Sequence, residues 1–159
     1  MHHYKLPEER GEPMRWRIAV VGKPKLSFAA EGIELYLSRL QRWTRVEFVS
    51  VRASIPEAES RELERITQGW YRVLLDERGE QVNSQGLARK LQEWEIHGPT
   101  KIALIIGGAE GHSPCLRHQA NWTWSLSKLT FQHEIATLLA IEQLYRAYTI
   151  ARGTPYHRK

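Results

Sequence analysis

Apolar and polar positions along the chain follow two different periods in turn, which predicts alternating strands and helices. The apolar run at residues 18–21 ends at Gly22 and is typical of a strand buried on both faces. A helix is predicted next, because apolar residues recur at three- and four-residue steps along one helical face: Leu26, Ala30, Ile33, Leu37 and Leu40. Residues 46–51 return to β-branched and aromatic types, which predicts a second strand.

The same alternation continues through the rest of the chain. Pro56 is placed to begin a helix that continues at near-helical spacing to Trp70, and residues 72–76 predict the next strand. Ser84 is placed to cap a further helix, and residues 102–106 form the most clearly buried strand of the chain. Ser113 with Pro114 predicts a short helix start, and residues 133–152 predict a long helix that ends before Gly153.

Strands that alternate with helices predict parallel βαβ connections, and therefore an α/β fold, a three-layer sandwich with a mainly parallel sheet. The chain of 159 residues is long enough for one substantial core, so residues 14–159 are predicted to form a single domain. Residues 1–13 contain three glutamates and two prolines with almost no large aliphatic side chains, which predicts a disordered N-terminal extension. Met14 directly precedes the first strand, so translation starting there is a further hypothesis.

Charge and cysteine content narrow the function classes only slightly. The formal net charge of +5 favours an anionic partner, and the last third carries most of the excess, with six cations against two anions. The single cysteine, Cys115, cannot form an internal disulfide, and the seven histidines lack the paired spacing of a structural zinc site. We expect a reducing, cytoplasmic setting with no metal and no membrane span.

Two predicted strands end in segments that suit ligand binding, because ligands in open α/β sheets collect at the carboxyl ends of the strands. One is residues 75–79, and the other is the loop at residues 107–111, in which three of five residues are glycine. Glycines let backbone groups approach a flat ligand closely, although a plain tight turn is an equally good interpretation. No dinucleotide fingerprint surrounds Gly22 and no P-loop motif occurs in the chain, which disfavours a Rossmann dehydrogenase and a P-loop kinase.

Two further segments carry candidate chemistry. Residues 124–131 place hydroxyl groups between apolar side chains, which fits either a ligand loop or an edge strand packed on the core. The tail brings a histidine, which titrates near neutrality, next to an aromatic residue and two cations: Tyr156, His157, Arg158 and Lys159. A solvated polar tail is the simpler interpretation of that segment.

Taken together, these segments resemble the ribosomal large-subunit pseudouridine N3-methyltransferase family, the RlmH type of the SPOUT superfamily. The resemblance extends from about Met14 to Lys159. It includes residues 18–23, 75–76, 79, 84, 106–108, 111, 125–131, 133, 142–147 and 155–158.

The resemblance implies a C-terminal trefoil knot, a homodimer and a site for S-adenosylmethionine in the knot. Carried over position by position, the implied cofactor contacts are Leu75, Gly107, Leu126, Ser127, Lys128, Leu129, Thr130 and Phe131. These residues belong to the strand-end and loop segments singled out above.

The resemblance also implies a substrate, a pseudouridine in 23S rRNA recognised on the assembled ribosome. The N3 atom must lose a proton before it attacks the methyl group, so a base or a stabilising cation is needed. We expect His157 to remove the proton, Tyr156 to place the base and Arg158 to hold phosphate or developing negative charge. The role of His133, at the start of the last helix, stays open between ligand contact and capping, and Arg146 is either an RNA contact or simply solvated.

The sequence leaves two alternative functions open. One is a SPOUT methyltransferase acting on another rRNA position or on tRNA, because the cofactor fold is shared more widely than the substrate. The other is a noncatalytic RNA-binding relative that keeps the fold.

Overall fold

The computed structural model describes residues 13–157, so most of the predicted N-terminal extension lies outside the described residues. Its elements alternate along the chain as the sequence predicts. They are β1 (Arg15–Val21), α1 (Ser27–Leu40), β2 (Arg45–Val51), α2 (Pro56–Ile66), β3 (Tyr71–Gln81), α3 (Ser84–His97), β4 (Lys101–Ile106), α4 (Pro114–His118), β5 (Trp122–Ser125), α5 (His133–Arg152) and a 3-10 turn (Pro155–His157). No helix within residues 13–157 has the length and apolarity needed to cross a membrane.

The five strands form one sheet in the order β2-β1-β4-β3-β5, and every pair of neighbours runs parallel. The strand β4 lies at the centre, which explains why residues 102–106 are all buried. Helices cover both faces of the sheet, so the predicted three-layer α/β sandwich is confirmed. The trefoil knot stays a prediction.

Side chains alternate between the two faces of the sheet and build two separate cores. Ile18 and Leu104 face α1, α3 and α5, whereas Ala19 and Ile105 face α2 and α4. The first core is larger because three helices pack on it. The helix α5 lies between α1 and α3 in that layer.

The helix boundaries follow from capping chemistry, with two corrections to the sequence prediction. The side chain of Asn83, not Ser84, caps α3, since its Oδ1 accepts a hydrogen bond of 2.7 Å from the amide of Gly86. The helix α2 ends at Ile66, four residues before Trp70. Ser113 caps α4 as predicted, and α5 ends before Gly153, which adopts a left-handed conformation with φ of 71°.

The strand β3 is longer than predicted and changes its pairing along its length. It pairs with β4 only as far as Leu75, and its register against β5 shifts between Leu75 and Glu80. A Cβ atom at Gly79 would lie 2.5 Å from the carbonyl oxygen of Thr123, so only glycine permits this close approach of the two backbones. The shift leaves residues 76–79 free of the ladder at the carboxyl edge of the sheet.

Candidate active site

A cavity of about 300 Å³ lies at the carboxyl ends of β3, β4 and β5. Four segments line it: residues 75–78 of β3, residues 106–112 after β4, the loop after β5, and the first turn of α5. Seven of the eight predicted cofactor residues lie in its wall, namely Leu75, Gly107, Leu126, Ser127, Leu129, Thr130 and Phe131. The exception is Lys128, which is exposed and does not line the cavity.

The glycine loop after β4 is both a tight turn and a cavity wall. The amide of Gly111, at φ of 78°, donates a hydrogen bond of 3.0 Å to the carbonyl oxygen of Gly108. A Cβ atom at Gly107 would lie 3.0 Å from Cε1 and 3.1 Å from Nδ1 of His112. The glycines therefore make room for the turn and for the imidazole behind it.

His112 is a site residue that sequence reasoning missed. Its ring is buried, and its Nε2 lies 3.1 Å from the carbonyl oxygen of Leu75, so Nε2 is the protonated nitrogen. Its Nδ1 is buried and has no hydrogen-bond partner among the described residues. Burial lowers the pKa of His112, although the Leu75 carbonyl and Asp76 oppose that effect. His112 is thus a neutral bridge between two walls of the cavity.

Hydroxyl groups shape the loop after β5 by bonding within the protein. The Ser125 hydroxyl donates to the carbonyl oxygen of Ser127 over 2.9 Å, and Ser127 Oγ accepts from the amide of Leu129 over 3.1 Å. The hydroxyl of Thr130 donates to the carboxylate of Glu77, which joins this loop to the end of β3. The strand interpretation is right for the start of residues 124–131, because β5 ends at Ser125, and the loop that follows lines the cavity, while its role as a ligand loop stays a prediction.

The first turn of α5 closes the cavity on its remaining side. Gln132 caps the helix by accepting from the amides of Glu134 and Ile135, so His133 is not the cap and instead lines the cavity. The buried carboxylate of Glu134 accepts from the amides of Lys25 and Leu26. Burial raises the pKa of Glu134, but these amides and Gln132 outweigh it and lower the pKa overall. The ionised carboxylate thus holds the loop after β1 against α5.

Carboxylates outnumber cations at the rim of the cavity. Asp76, Glu77 and Glu110 line it, with Arg78 as the cation in the same wall. The Oδ1 of Asp76 accepts from the amide of Arg78 over 2.9 Å and lies 3.4 Å from its Nε. Within residues 13–157, no group of three or more histidine, cysteine or acidic side chains could hold a metal ion.

The predicted catalytic tyrosine does not line the cavity of its own chain. The hydroxyl of Tyr156 donates to Oε1 of Glu142 over 3.0 Å and lies 3.1 Å from the hydroxyl of Tyr36. Its ring packs edge-on against Tyr145, with centroids 4.6 Å apart. The backbone of His157 ends the 3-10 turn, and Arg158 lies outside the described residues. Tyr156 is therefore docked on α1 and α5 rather than at the cavity.

Arg146 has a partner within α5 that the sequence argument did not consider. Its Nη2 lies 2.7 Å from Oε1 of Glu142, the same oxygen that Tyr156 contacts, and its guanidinium lies 5.1 Å from the centre of the Tyr156 ring. This ion pair raises the pKa of Arg146. Arg146 thus helps to hold Tyr156 in place.

The fold has similar solved structures at low sequence identity. A methylase-family protein from Haemophilus influenzae Rd KW20 aligns with a TM-score of 0.57 and 10% identity, over 91% of this chain and 70% of that one. A methylase-family protein from Neisseria gonorrhoeae aligns with a TM-score of 0.54 and 11% identity, over 83% and 82% of the two chains. Residues 14–157 match the family described as "Predicted SPOUT methyltransferase", so the protein belongs to the SPOUT methyltransferase class.

Curated relatives narrow this class to one family. The ribosomal RNA large subunit methyltransferase H of Synechococcus sp. (strain RCC307) is 45% identical over 92% of this chain and 97% of its own length. The proteins of that name from Thermus thermophilus and Deinococcus radiodurans are 41% and 40% identical, each over 91% of this chain and 99% of their own length. The chain belongs to the ribosomal RNA large subunit methyltransferase H family.

Proposed function

We propose that this protein transfers a methyl group from S-adenosylmethionine to N3 of a pseudouridine in 23S rRNA, on assembled ribosomes in the cytoplasm. Family membership supports the coarser activity, methyl transfer to large-subunit rRNA. The observation that carries the proposal is the cavity, in whose wall seven of the eight cofactor residues expected from the sequence lie together.

The residues of the cavity fit S-adenosylmethionine, whose methylsulfonium group supplies the electrophilic methyl carbon. A volume of about 300 Å³ lies at the lower end of the range for small-molecule sites. Leu75, Leu126 and Phe131 offer apolar surface to a flat base, and Gly107 lets the backbone approach it. Carboxylates at the rim, such as Asp76 and Glu110, favour the positive charge of the donor. These groups bind and orient the donor, and positioning of this kind supplies much of the acceleration of a displacement reaction.

The proton on N3 of pseudouridine needs an acceptor, and the cavity offers two imidazoles. His112 is a poor candidate, because the nitrogen that would accept the proton, Nδ1, is buried and has no access to solvent or to a bound base. His133 lines the cavity and stays open as a base or a contact. We keep His157 as the proposed base, with Tyr156 placing the nucleobase and Arg158 holding phosphate or negative charge.

Because Tyr156 is docked away from the cavity of its own chain, we propose that the tail acts at the cavity of a second copy of this chain. Exposed apolar side chains on α1 support such a homodimer. Phe28 and Leu35 are 58% and 47% exposed and lie seven residues apart, on one face of the helix. Leu139 of α5 is also exposed, and its neighbour Leu138 packs on Gly32 of α1.

Light scattering tests the homodimer. Leu35→Glu should reduce the mass in solution to that of one chain, because it places a charge on the apolar face. The matched control is Ile55→Glu, since Ile55 is 62% exposed before α2 and lies outside this face. A monomeric wild type, or a dimer that Leu35→Glu does not disturb, contradicts this interface.

The test of catalysis is His157→Ala, assayed for methyl transfer to assembled ribosomes and for cofactor binding by calorimetry. Methyl transfer should fall by roughly 10²- to 10⁴-fold, the usual cost of losing a general base, while cofactor affinity stays nearly unchanged. His118→Ala, at an exposed histidine of α4, is the control and should change neither quantity. Unchanged turnover in His157→Ala would remove that residue from the mechanism.

Mass-spectrometric mapping of rRNA, including 23S rRNA, and of tRNA from cells with and without the gene tests the substrate. Loss of one N3-methylpseudouridine is the expected result. Loss of a methyl group at another rRNA or tRNA position favours the first alternative, and no change in either RNA favours the noncatalytic relative.

A further inference from the structure

Three cations stand side by side at the amino edge of the sheet, opposite the cavity. In the parallel register Arg15 of β1 pairs with Arg45 of β2 on one side and with Lys101 of β4 on the other. Side chains of in-register neighbours point to the same face, and adjacent strands lie about 4.8 Å apart. The sheet thus presents a cationic row, which consists of Arg45, Arg15 and Lys101 in that order.

Two members of the row, Arg15 and Lys101, lie near the indole ring of Trp70. The guanidinium carbon of Arg15 lies 5.3 Å from the centre of the Trp70 ring, and the ammonium of Lys101 lies 5.9 Å from it. Both distances are within the range of cation–π attraction. Trp70 itself is 9% exposed, so it supports the cations from below and leaves their outer sides to solvent. Arg45 is exposed at the end of the row.

Neighbouring cations stabilise the fold through hydrogen bonds and ion pairs, whereas the cations of the row do not. Arg17 pairs with Glu47 over 2.7 Å and donates to the carbonyl oxygen of Ile66 at the end of α2. Arg72 donates to the carbonyl oxygen of Glu64 in the same last turn. Within residues 13–157, no side chain of the row makes a hydrogen bond or an ion pair. Adjacent like charges destabilise a sheet, so the row costs stability unless an anion neutralises it.

We propose that the cationic row binds phosphate groups of RNA, as a second contact separate from the methyl-transfer site. The seven residues of β1 span roughly 20 Å, so the row and the cavity contact different stretches of the RNA. The assignment to ribosomal RNA rests on the proposed function. The contact anchors and orients the protein on the particle, because phosphate contacts fix position without reading sequence.

The test compares two double variants that each remove two positive charges. Arg45→Gln with Lys101→Gln removes the ends of the row, and Arg61→Gln with Arg89→Gln removes two exposed cations on the outer faces of α2 and α3. Co-sedimentation with large ribosomal subunits and with protein-free large-subunit RNA is measured between about 50 and 200 mM salt. Thermal melting checks that both variants are folded, and calorimetry measures cofactor affinity.

The row variant should bind roughly tenfold more weakly than wild type at about 50 mM salt, and its salt slope should fall by about 2. The control should keep the wild-type slope, and both variants should keep wild-type cofactor affinity. Equal binding by the two variants overturns the proposal. A loss seen with intact subunits but not with protein-free RNA also overturns it, because the partner is then a ribosomal protein. Methyl transfer to assembled ribosomes is assayed separately, so a wild type that binds large-subunit RNA but transfers no methyl group to assembled ribosomes contradicts the proposed function and not the row.

Discussion

The indole nitrogen of Trp16 donates a hydrogen bond of 2.8 Å to the hydroxyl of Tyr148 in the larger of the two cores. The two residues are 2% and 1% exposed, so neither polar atom can bond to water instead. The bond joins the start of β1 to the end of α5, which are 132 residues apart in the chain. It therefore ties the helix that carries the tail to the sheet that carries the cavity.

Tyr148→Phe should lower the free energy of unfolding by about 1 to 3 kcal/mol, since the Trp16 indole would remain buried without an acceptor. Urea denaturation measures the change. Tyr71→Phe is the matched control, because its hydroxyl makes no hydrogen bond among the described residues. We expect the control to stay within about 0.5 kcal/mol of wild type. Equal stability of the two variants would mean that the Trp16 bond contributes nothing.

The order and type of the elements from β1 to β4 were predictable from the sequence, because apolar runs such as residues 102–106 carry a clear signal, whereas β5 was left open between a strand and a loop. Finer features depend on contacts that no local pattern encodes. The buried alanine of α1 is Ala29 and not the predicted Ala30, because the packing of α5 and the sheet decides which side of a helix is covered. The extension of β3 to Gln81 depends on its shifted register with β5.

The residues of the candidate site also fall into those that local sequence features predict and those that depend on distant contacts. Gly107 and the segment at residues 126–131 were predictable, since glycine density and hydroxyl spacing are local features, and the resemblance matched them. The role of His112 was not predictable, because its partner Leu75 lies 37 residues away and the two residues meet only when β3 and β4 pair. The position of Tyr156 was also not predictable, since it depends on hydrogen bonds with Tyr36 and Glu142, which belong to two different helices.

His112→Ala should weaken cofactor binding by roughly tenfold or more. The change leaves the carbonyl of Leu75 without its donor and frees the glycine loop from β3, and a lost buried hydrogen bond costs about 1 to 3 kcal/mol. Calorimetry with S-adenosylmethionine measures the effect, with His118→Ala as the exposed control. Wild-type affinity in His112→Ala would show that the bridge does not shape the cavity.

The lowered pKa of His112 predicts that stability depends on pH. Burial lowers this pKa, with Arg117 and Arg78 adding to the effect and the Leu75 carbonyl and Asp76 opposing it. The unfolded chain therefore binds a proton that the folded chain does not, in the window below 6.5, the ordinary value for histidine. Above pH 6.5 the neutral, buried His112 costs the folded state nothing. As the pH falls below that value, the free energy of unfolding decreases by at most about 1.4 kcal/mol per pH unit.

Urea unfolding of wild type and His112→Ala at a series of pH values from about 7.5 to 5.5 isolates this effect, because other groups titrate equally in both proteins. The stability advantage of wild type over the variant should shrink as the pH falls. An advantage that is constant or grows toward low pH would mean that the folded protein binds the proton as readily as the unfolded chain.

Tyr156→Phe tests whether docking of the tail matters for methyl transfer. Burial raises the pKa of Tyr156, as do its hydrogen bonds with Tyr36 and Glu142, so the phenol stays protonated and acts as a donor. Phenylalanine keeps the ring contact with Tyr145 and loses only the hydroxyl bonds, which are worth about 1 kcal/mol or more.

If the docked turn positions His157, Tyr156→Phe should slow methyl transfer several-fold under single-turnover conditions while cofactor affinity stays unchanged. The control is Tyr36→Phe, which leaves the bond from Tyr156 to Glu142 in place and should have the smaller effect. Rapid-quench kinetics and calorimetry on the same preparations separate the two quantities. A parallel fall of cofactor affinity and transfer rate would instead show that the tail supports the cavity itself. Equal rates in wild type and Tyr156→Phe would show that the hydroxyl bonds of the tail have no part in placing the base.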